Sequence, residues 1–319
     1  MLRFLVFFFL LQPILLEPAL LEAGQQQSGS APAPAQKTLE VTPDDLLKEQ
    51  VVAADQRLSY GADPLQFGEL RLPSGKGPFP VVVLVHGGCW ADHLQGLDPR
   101  ATTMDLLRPL AAALTGAGFA TWNAEYRRNG NPGGGWPGTF QDLSSATDFL
   151  RTIAAKYQLD LQRVVAVGHS SGGQLALWLA ARGKIAASSA IYTKNPLPLK
   201  GAVDIDGPPE LANIQPLEEK FCGLPAITQF LGGTPSEQPA RYHDATIASY
   251  LPTGVPHVLI GGALLGAVQP QIDAYAAAAK AAGENFRVIK LEGSNHFAML
   301  SPHSPYWPTV RDTISSLLH

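Results

Sequence analysis

The run Val81-Val82-Val83-Leu84-Val85 constrains the fold more than any other feature of the sequence. It is unbroken, apolar and rich in β-branched side chains, so a strand built from it presents apolar groups to both sides. Such a strand needs cover on both faces, the environment of a parallel sheet in an α/β protein. Short apolar runs recur at Phe119 to Asn123, Val164 to Val167, Ala202 to Ile205, His257 to Ile260 and Arg287 to Leu291. Helical patterns lie between or beside them, at about 100–116, 140–157, 171–182, 270–282 and 304–318. Alternation of this kind predicts a mostly parallel central sheet with helices on both faces, and ligands bound at the C-terminal ends of its strands. Upstream, Thr42-Pro43-Asp44-Asp45 reads as the start of a helix over about 43–56, and Gln66 to Leu72 as a half-exposed strand.

The first 23 residues carry Arg3 and then an uncharged apolar run from Phe4 to Leu11, the pattern of a secretory signal peptide. Gln12, Pro13 and Glu17 interrupt it, so no stable membrane span is expected after cleavage. Residues 24–36, rich in Gln, Ala and Pro, read as a linker, and 37–319 as the folded domain. The expectation is an exported protein, periplasmic or secreted. With 23 basic against 27 acidic residues and no basic cluster, nothing suits nucleic acid. Cys89 and Cys222 are far apart in sequence; a bridge between them and two separate buried thiols are both open. Neither sits in a His/Asp cluster at ligand spacing, so no metal site is expected.

Chemistry concentrates at the ends of the predicted strands. After Val164 to Val167 comes Gly168-His169-Ser170-Ser171-Gly172-Gly173, and then the helical run from Gln174. Gly-x-Ser-x-Gly between a strand and a helix is the nucleophile elbow: small flanking residues permit a turn tight enough to lift the Ser170 hydroxyl above the sheet. After Val81 to Val85 stands His86-Gly87-Gly88-Cys89-Trp90, a turn whose N–H groups can hold a developing oxyanion. Gly88, Cys89 and Ser171 are the expected donors, and His86 is read as orienting the turn. Arg287 to Leu291 leads into Glu292-Gly293-Ser294-Asn295-His296-Phe297, which offers His296 as the base. His303 is a weaker candidate; His93, His169, His243 and His257 are read as surface or packing residues.

These elements, with Glu125-Tyr126-Arg127-Arg128 and Gly133 to Thr139, resemble the α/β-hydrolase superfamily, bacterial esterase/lipase type, across about residues 60–318. That group is similar to the kynurenine-formamidase-like and hormone-sensitive-lipase-like enzymes. The resemblance implies an α/β-hydrolase fold and a serine hydrolase acting on a small-molecule acyl substrate without a cofactor. The expected activity is cleavage of carboxylic esters through an acyl-enzyme, with an amidase, such as a formamidase or a small exopeptidase, on the same site as the alternative.

One departure from the family pattern matters. Relatives carry the triad acid after the next-to-last strand, where this chain reads Gly262-Ala263-Leu264-Leu265-Gly266-Ala267-Val268 and Leu265 takes its place. Three readings stay open. Asp206, in Val203-Asp204-Ile205-Asp206-Gly207, can supply the acid from the end of the preceding strand, with Asp204 one repeat deeper. A Ser-His dyad can work without it, since the acid only orients and stabilises the imidazole. A pseudoenzyme can bind without turnover. Pocket walls are expected from Trp90, from Trp136, and from an insertion at about 208–250 that could form a small apolar cap.

Overall fold

In the computed structural model, residues 39–93 and 102–318 are described. The expected signal peptide and linker lie outside them, as does the start of the 100–116 helix. The strands are β1 (Gln56–Ser59), β2 (Phe67–Arg71), β3 (Phe79–Val85), β4 (Ala120–Ala124), β5 (Leu159–His169), β6 (Gly201–Ile205), β7 (His257–Gly261) and β8 (Phe286–Lys290). They form one sheet in the order β1-β2-β4-β3-β5-β6-β7-β8. Only β1–β2 and β2–β4 pair antiparallel. The α/β-hydrolase fold read from the sequence is therefore the fold adopted.

The β3 run explains the layering. Val81, Val83 and Val85 enter one apolar core with Trp122, Phe140 and Trp178, while Val82 and Leu84 enter a second with Leu106, Ile260 and Ile314. Every residue of the run is fully buried. At about 1.5–3 kcal/mol for each such aliphatic side chain, this strand alone anchors both faces.

The helices are α1 (Pro43–Lys48), α2 (Arg108–Gly116), α3 (Gly138–Asp148), α4 (Leu150–Tyr157), α5 (Ser171–Ala181), α6 (Glu218–Cys222), α7 (Ala226–Leu231), α8 (Pro239–Ala245), α9 (Ala263–Ala267), α10 (Gln269–Ala281) and α11 (Trp307–Leu317). Among the described residues none is long and apolar enough to cross a membrane.

Two helix boundaries differ from expectation. α1 starts on the expected box, in which the Thr42 hydroxyl accepts from Asp45 N–H and the Asp45 carboxylate accepts from Thr42 N–H. It stops at Lys48, well short of 56, because Val52 is 83% exposed and the segment finds no core to pack on. The helix expected over 140–157 is interrupted at Phe149. Trp122 Nε1–H donates to the Ala146 carbonyl, the acceptor an unbroken helix offers to Leu150 N–H. β1 was not legible as a strand, being short, polar and largely exposed.

Between β6 and β7 the chain leaves the sheet and forms α6, α7 and α8. Glu218 organises this insertion: its carboxylate accepts from Thr228 N–H (2.8 Å), the Thr228 hydroxyl (2.6 Å) and Gln215 Nε2–H (2.9 Å). Phe230 and Leu231 of α7 are buried in the main core, so the insertion is both cap and core.

Candidate active site

β5 delivers Ser170 to a cavity of about 480 Å³ above the C-terminal edge of the sheet. Ser170 adopts φ 56° and ψ −128°, a conformation a non-glycine residue holds only under constraint from its surroundings. α5 begins at the next residue, which turns its free N–H groups and positive end toward the hydroxyl. A Cβ on Gly172 would strike the Val85 and His86 carbonyls, so only glycine lets the elbow close against β3.

The second turn packs against the first. A Cβ on Gly87 would come within 2.7 Å of the His169 carbonyl, which is how near the two backbones run. Gly88, Cys89 and Trp90 all have positive φ (108°, 53° and 55°). Among the described residues, no acceptor takes the N–H groups of Gly88, Cys89 or Ser171, and all three residues line the cavity. His86 lies beneath, fully buried: its Nε2 is 3.0 Å from the Glu125 carboxylate, its Nδ1 lies 2.8 Å from the Thr103 hydroxyl and 3.0 Å from the Gly87 carbonyl, and its ring stacks on Tyr126 at 4.2 Å. Burial opposes ionisation of Glu125, but His86 and Arg128 outweigh it and hold its pKa below the usual carboxylate range. This buried, hydrogen-bonded cluster holds the turn from below, the part the sequence suggested for His86.

His296 reaches the same cavity from the loop after β8, and its Nδ1–H donates to Asp206 Oδ2 at 2.7 Å. That leaves Nε2 free to accept a proton. Asp206 is fully buried at the end of β6, with φ 54°. Its Oδ1 accepts from Gly262 N–H (2.8 Å) and Leu265 N–H (3.0 Å), and its Oδ2 also accepts from Leu264 N–H (3.1 Å). Burial raises its pKa, yet the His296 hydrogen bond and charge and these N–H donors together hold it below the ordinary value. The loop in which relatives place the acid thus contributes its backbone instead, and Leu265 presents an N–H where a carboxylate was expected.

Asp204 does not reach His296. It is fully buried beneath the elbow, its Oδ1 accepts Gly207 N–H at 2.8 Å, and Oδ2 has no partner among the described residues. Burial, with Asp206 nearby, drives its pKa well up.

The walls are apolar: Trp90, Leu106, Ile214, Phe221, Ile227 and Phe297 contribute. Trp90 also has a structural part, since its Nε1–H donates to Gln174 and its ring stacks on Phe230. Trp136, expected beside the pocket, is not in the lining; it packs edge-on against Phe140 and its backbone N–H donates to the Phe230 carbonyl. His303 and His243 are away from the cavity, each beside an acid (Glu49 and Asp244), and His257 is buried against Tyr275. Cys89 and Cys222 are bridged, which closes the question left open by sequence and ties α6 directly to the turn that follows β3.

The BD-FAE family model matches residues 69–264, more than half of the sequence. This chain belongs to the BD-FAE family. The BD-FAE match takes in the His86 turn, Ser170 and Asp206 and stops ahead of His296, which the fold returns to the same cavity. Among curated proteins none matches. Among solved structures, the chain is similar to a bifunctional GH43-CE protein from Bacteroides eggerthii (20% identity, TM-score 0.65), covering 82% of this chain but only 38% of that one. It is also similar to a truncated carbohydrate esterase from gut microbiota (19% identity, 85% and 98% covered, TM-score 0.67). Esterase B from Lactobacillus rhamnosis is a further neighbour (18% identity, 86% and 90% covered, TM-score 0.67). At these identities the BD-FAE chain shares the fold with them.

Proposed function

We propose that this protein is a serine hydrolase that cleaves carboxylic esters through an acyl-enzyme. The observation that carries the reading is the 2.7 Å hydrogen bond from His296 to Asp206, in a cavity that also holds Ser170 on its strained elbow. Ser170 attacks the acyl carbonyl while His296 Nε2 takes its proton. The N–H groups of Gly88, Cys89 and Ser171 receive the charge that develops on the carbonyl oxygen. His296 then protonates the leaving alcohol, and water, activated by the same imidazole, releases the acid. Asp206 holds the Nδ1–H tautomer throughout and offsets the positive imidazolium. The esterases among the structural neighbours favour an ester over an amide as the bond cleaved. An exported location is part of this proposal, since a disulfide persists most readily in an oxidising compartment.

The test is labelling by a fluorophosphonate alongside hydrolysis of p-nitrophenyl esters of increasing chain length. Wild type should label and turn over, and Ser170→Ala should do neither. Labelling that survives Ser170→Ala would remove Ser170 as the nucleophile. N-formyl and aminoacyl amides run beside the esters would expose an amidase.

A further inference from the structure

Of the buried titratable groups that the acyl-transfer steps leave unused, His169 lies nearest the chemistry. It is the residue between Gly168 and Ser170, nearly fully buried, and was read from sequence as packing. Its Nε2 lies 2.8 Å from the carbonyl oxygen of His296, and the two rings stand 4.4 Å apart at 41°. A carbonyl can only accept, so Nε2 carries the proton and donates. Among the described residues this is the one hydrogen bond made by the main chain of His296, whose own N–H finds no acceptor there. The rest of the loop is anchored elsewhere: Asn295 Nδ2–H donates to Val41, Leu39 N–H to Gly293, and the Tyr306 hydroxyl to Glu292. The His169 bond is therefore what joins the peptide of the base to the peptide of the nucleophile.

We propose that His169 is a positioning residue, fixing the His296 backbone on the nucleophile elbow through Nε2–H and its ring plane so that the His296 ring keeps its place in the cavity that Ser170 also lines. This rests on the reading of Ser170 and His296 as nucleophile and base. The side chain at 169 must donate a hydrogen bond, offer a flat face to the imidazole, and carry no charge beside an imidazolium. Neutral histidine meets all three requirements; Asp and Glu lack the donor, and Lys and Arg add a charge. The groups that face it are His296, Asp206 and Phe297. Burial, and then the charge of His296, push its pKa down to about 3.

The experiment compares His169→Gln, which keeps a donor, with His169→Phe, which keeps a ring and loses the donor. A misplaced base costs on the order of 10–100-fold in turnover. His169→Phe should lose that much kcat with KM nearly unchanged and melting temperature preserved, while His169→Gln recovers most of the loss. Equal losses in both, or wild-type kcat in His169→Phe, would overturn the positioning role. If His169→Phe does not fold, the acid limb of the wild-type log kcat/KM profile decides. A slope of one fits a neutral His169, and a slope of two, from both imidazoles titrating together, overturns it. Ser170→Ala in parallel separates the two ideas: loss of fluorophosphonate labelling there keeps the triad reading, whatever the His169 variants do.

Discussion

Cys222→Ser cuts the only covalent link between the cap insertion and the oxyanion turn while leaving the Cys89 N–H in place. The bridge joins residues 133 apart, with Cα atoms 5.9 Å from each other. Closing a loop of that length in the unfolded chain is worth about 5 kcal/mol in the chain-entropy picture, and removal of native bridges typically costs 2–5 kcal/mol. For a domain of this size, about 2 °C of melting temperature accompanies each kcal/mol, so the variant should melt about 4–10 °C below the oxidised wild type. Wild type treated with reductant should fall to the same temperature, because both lose the same constraint. Differential scanning calorimetry with and without dithiothreitol makes the comparison, and thiol counting by mass spectrometry fixes the redox state of each sample. If the variant and the reduced wild type both melt within about a degree of the oxidised protein, the bridge contributes nothing of this kind and the loop-closure reasoning is wrong.

Asp206→Asn should lower kcat by about 10⁴ while the protein stays folded, because the amide cannot hold the imidazole tautomer or offset its charge; steady-state kinetics and circular dichroism check it, and a loss below tenfold would return the site to a dyad. Asp204 gives the opposite pH test. Its folded-state pKa is raised, so the stability it contributes is full below the ordinary carboxylate pKa of about 3.9 and is lost as pH rises toward the folded value. Asp204→Asn, which cannot ionise, should therefore melt above wild type at pH 7, with the difference closing toward pH 4; a difference that does not vary with pH would mean Asp204 does not titrate. For Asp206 the sign reverses: its depressed pKa stabilises above the unfolded value, and that contribution disappears as pH falls through the folded one.

Much of the fold was legible because the runs Val81 to Val85 of β3 and Val164 to Val167 of β5 are buried on both faces and are apolar throughout. Ser170 and its glycines were legible because the elbow is local: its sterics are written within six residues. What depends on long-range contact was not. Nothing near Cys89 announces Cys222, and the role of Leu265 is invisible because only its backbone N–H takes part. His169 read as packing, which it is, but periodicity does not say that the ring it packs against belongs to His296. Trp136 was misplaced for a related reason: a Trp in a Gly-rich segment can face the pocket or the core, and only Phe140 and Phe230 decide. The break at Phe149 likewise comes from Trp122, which sits on β4, far from it in sequence.

The cradle around Asp206 separates two jobs that one loop usually performs together. Gly262, Leu264 and Leu265 act on the carboxylate through peptide groups, whereas the Ala263, Leu264 and Ala267 side chains look onto the cavity. Side chains in this turn can therefore be exchanged to reshape the wall, and the acid will keep its partners as long as the backbone path holds. Proline at 264 or 265 is the change this turn cannot absorb, since it would delete a donor. For anyone wishing to alter what the cavity admits, positions 263, 264 and 267 are a place where its wall can change without touching the machinery beside it.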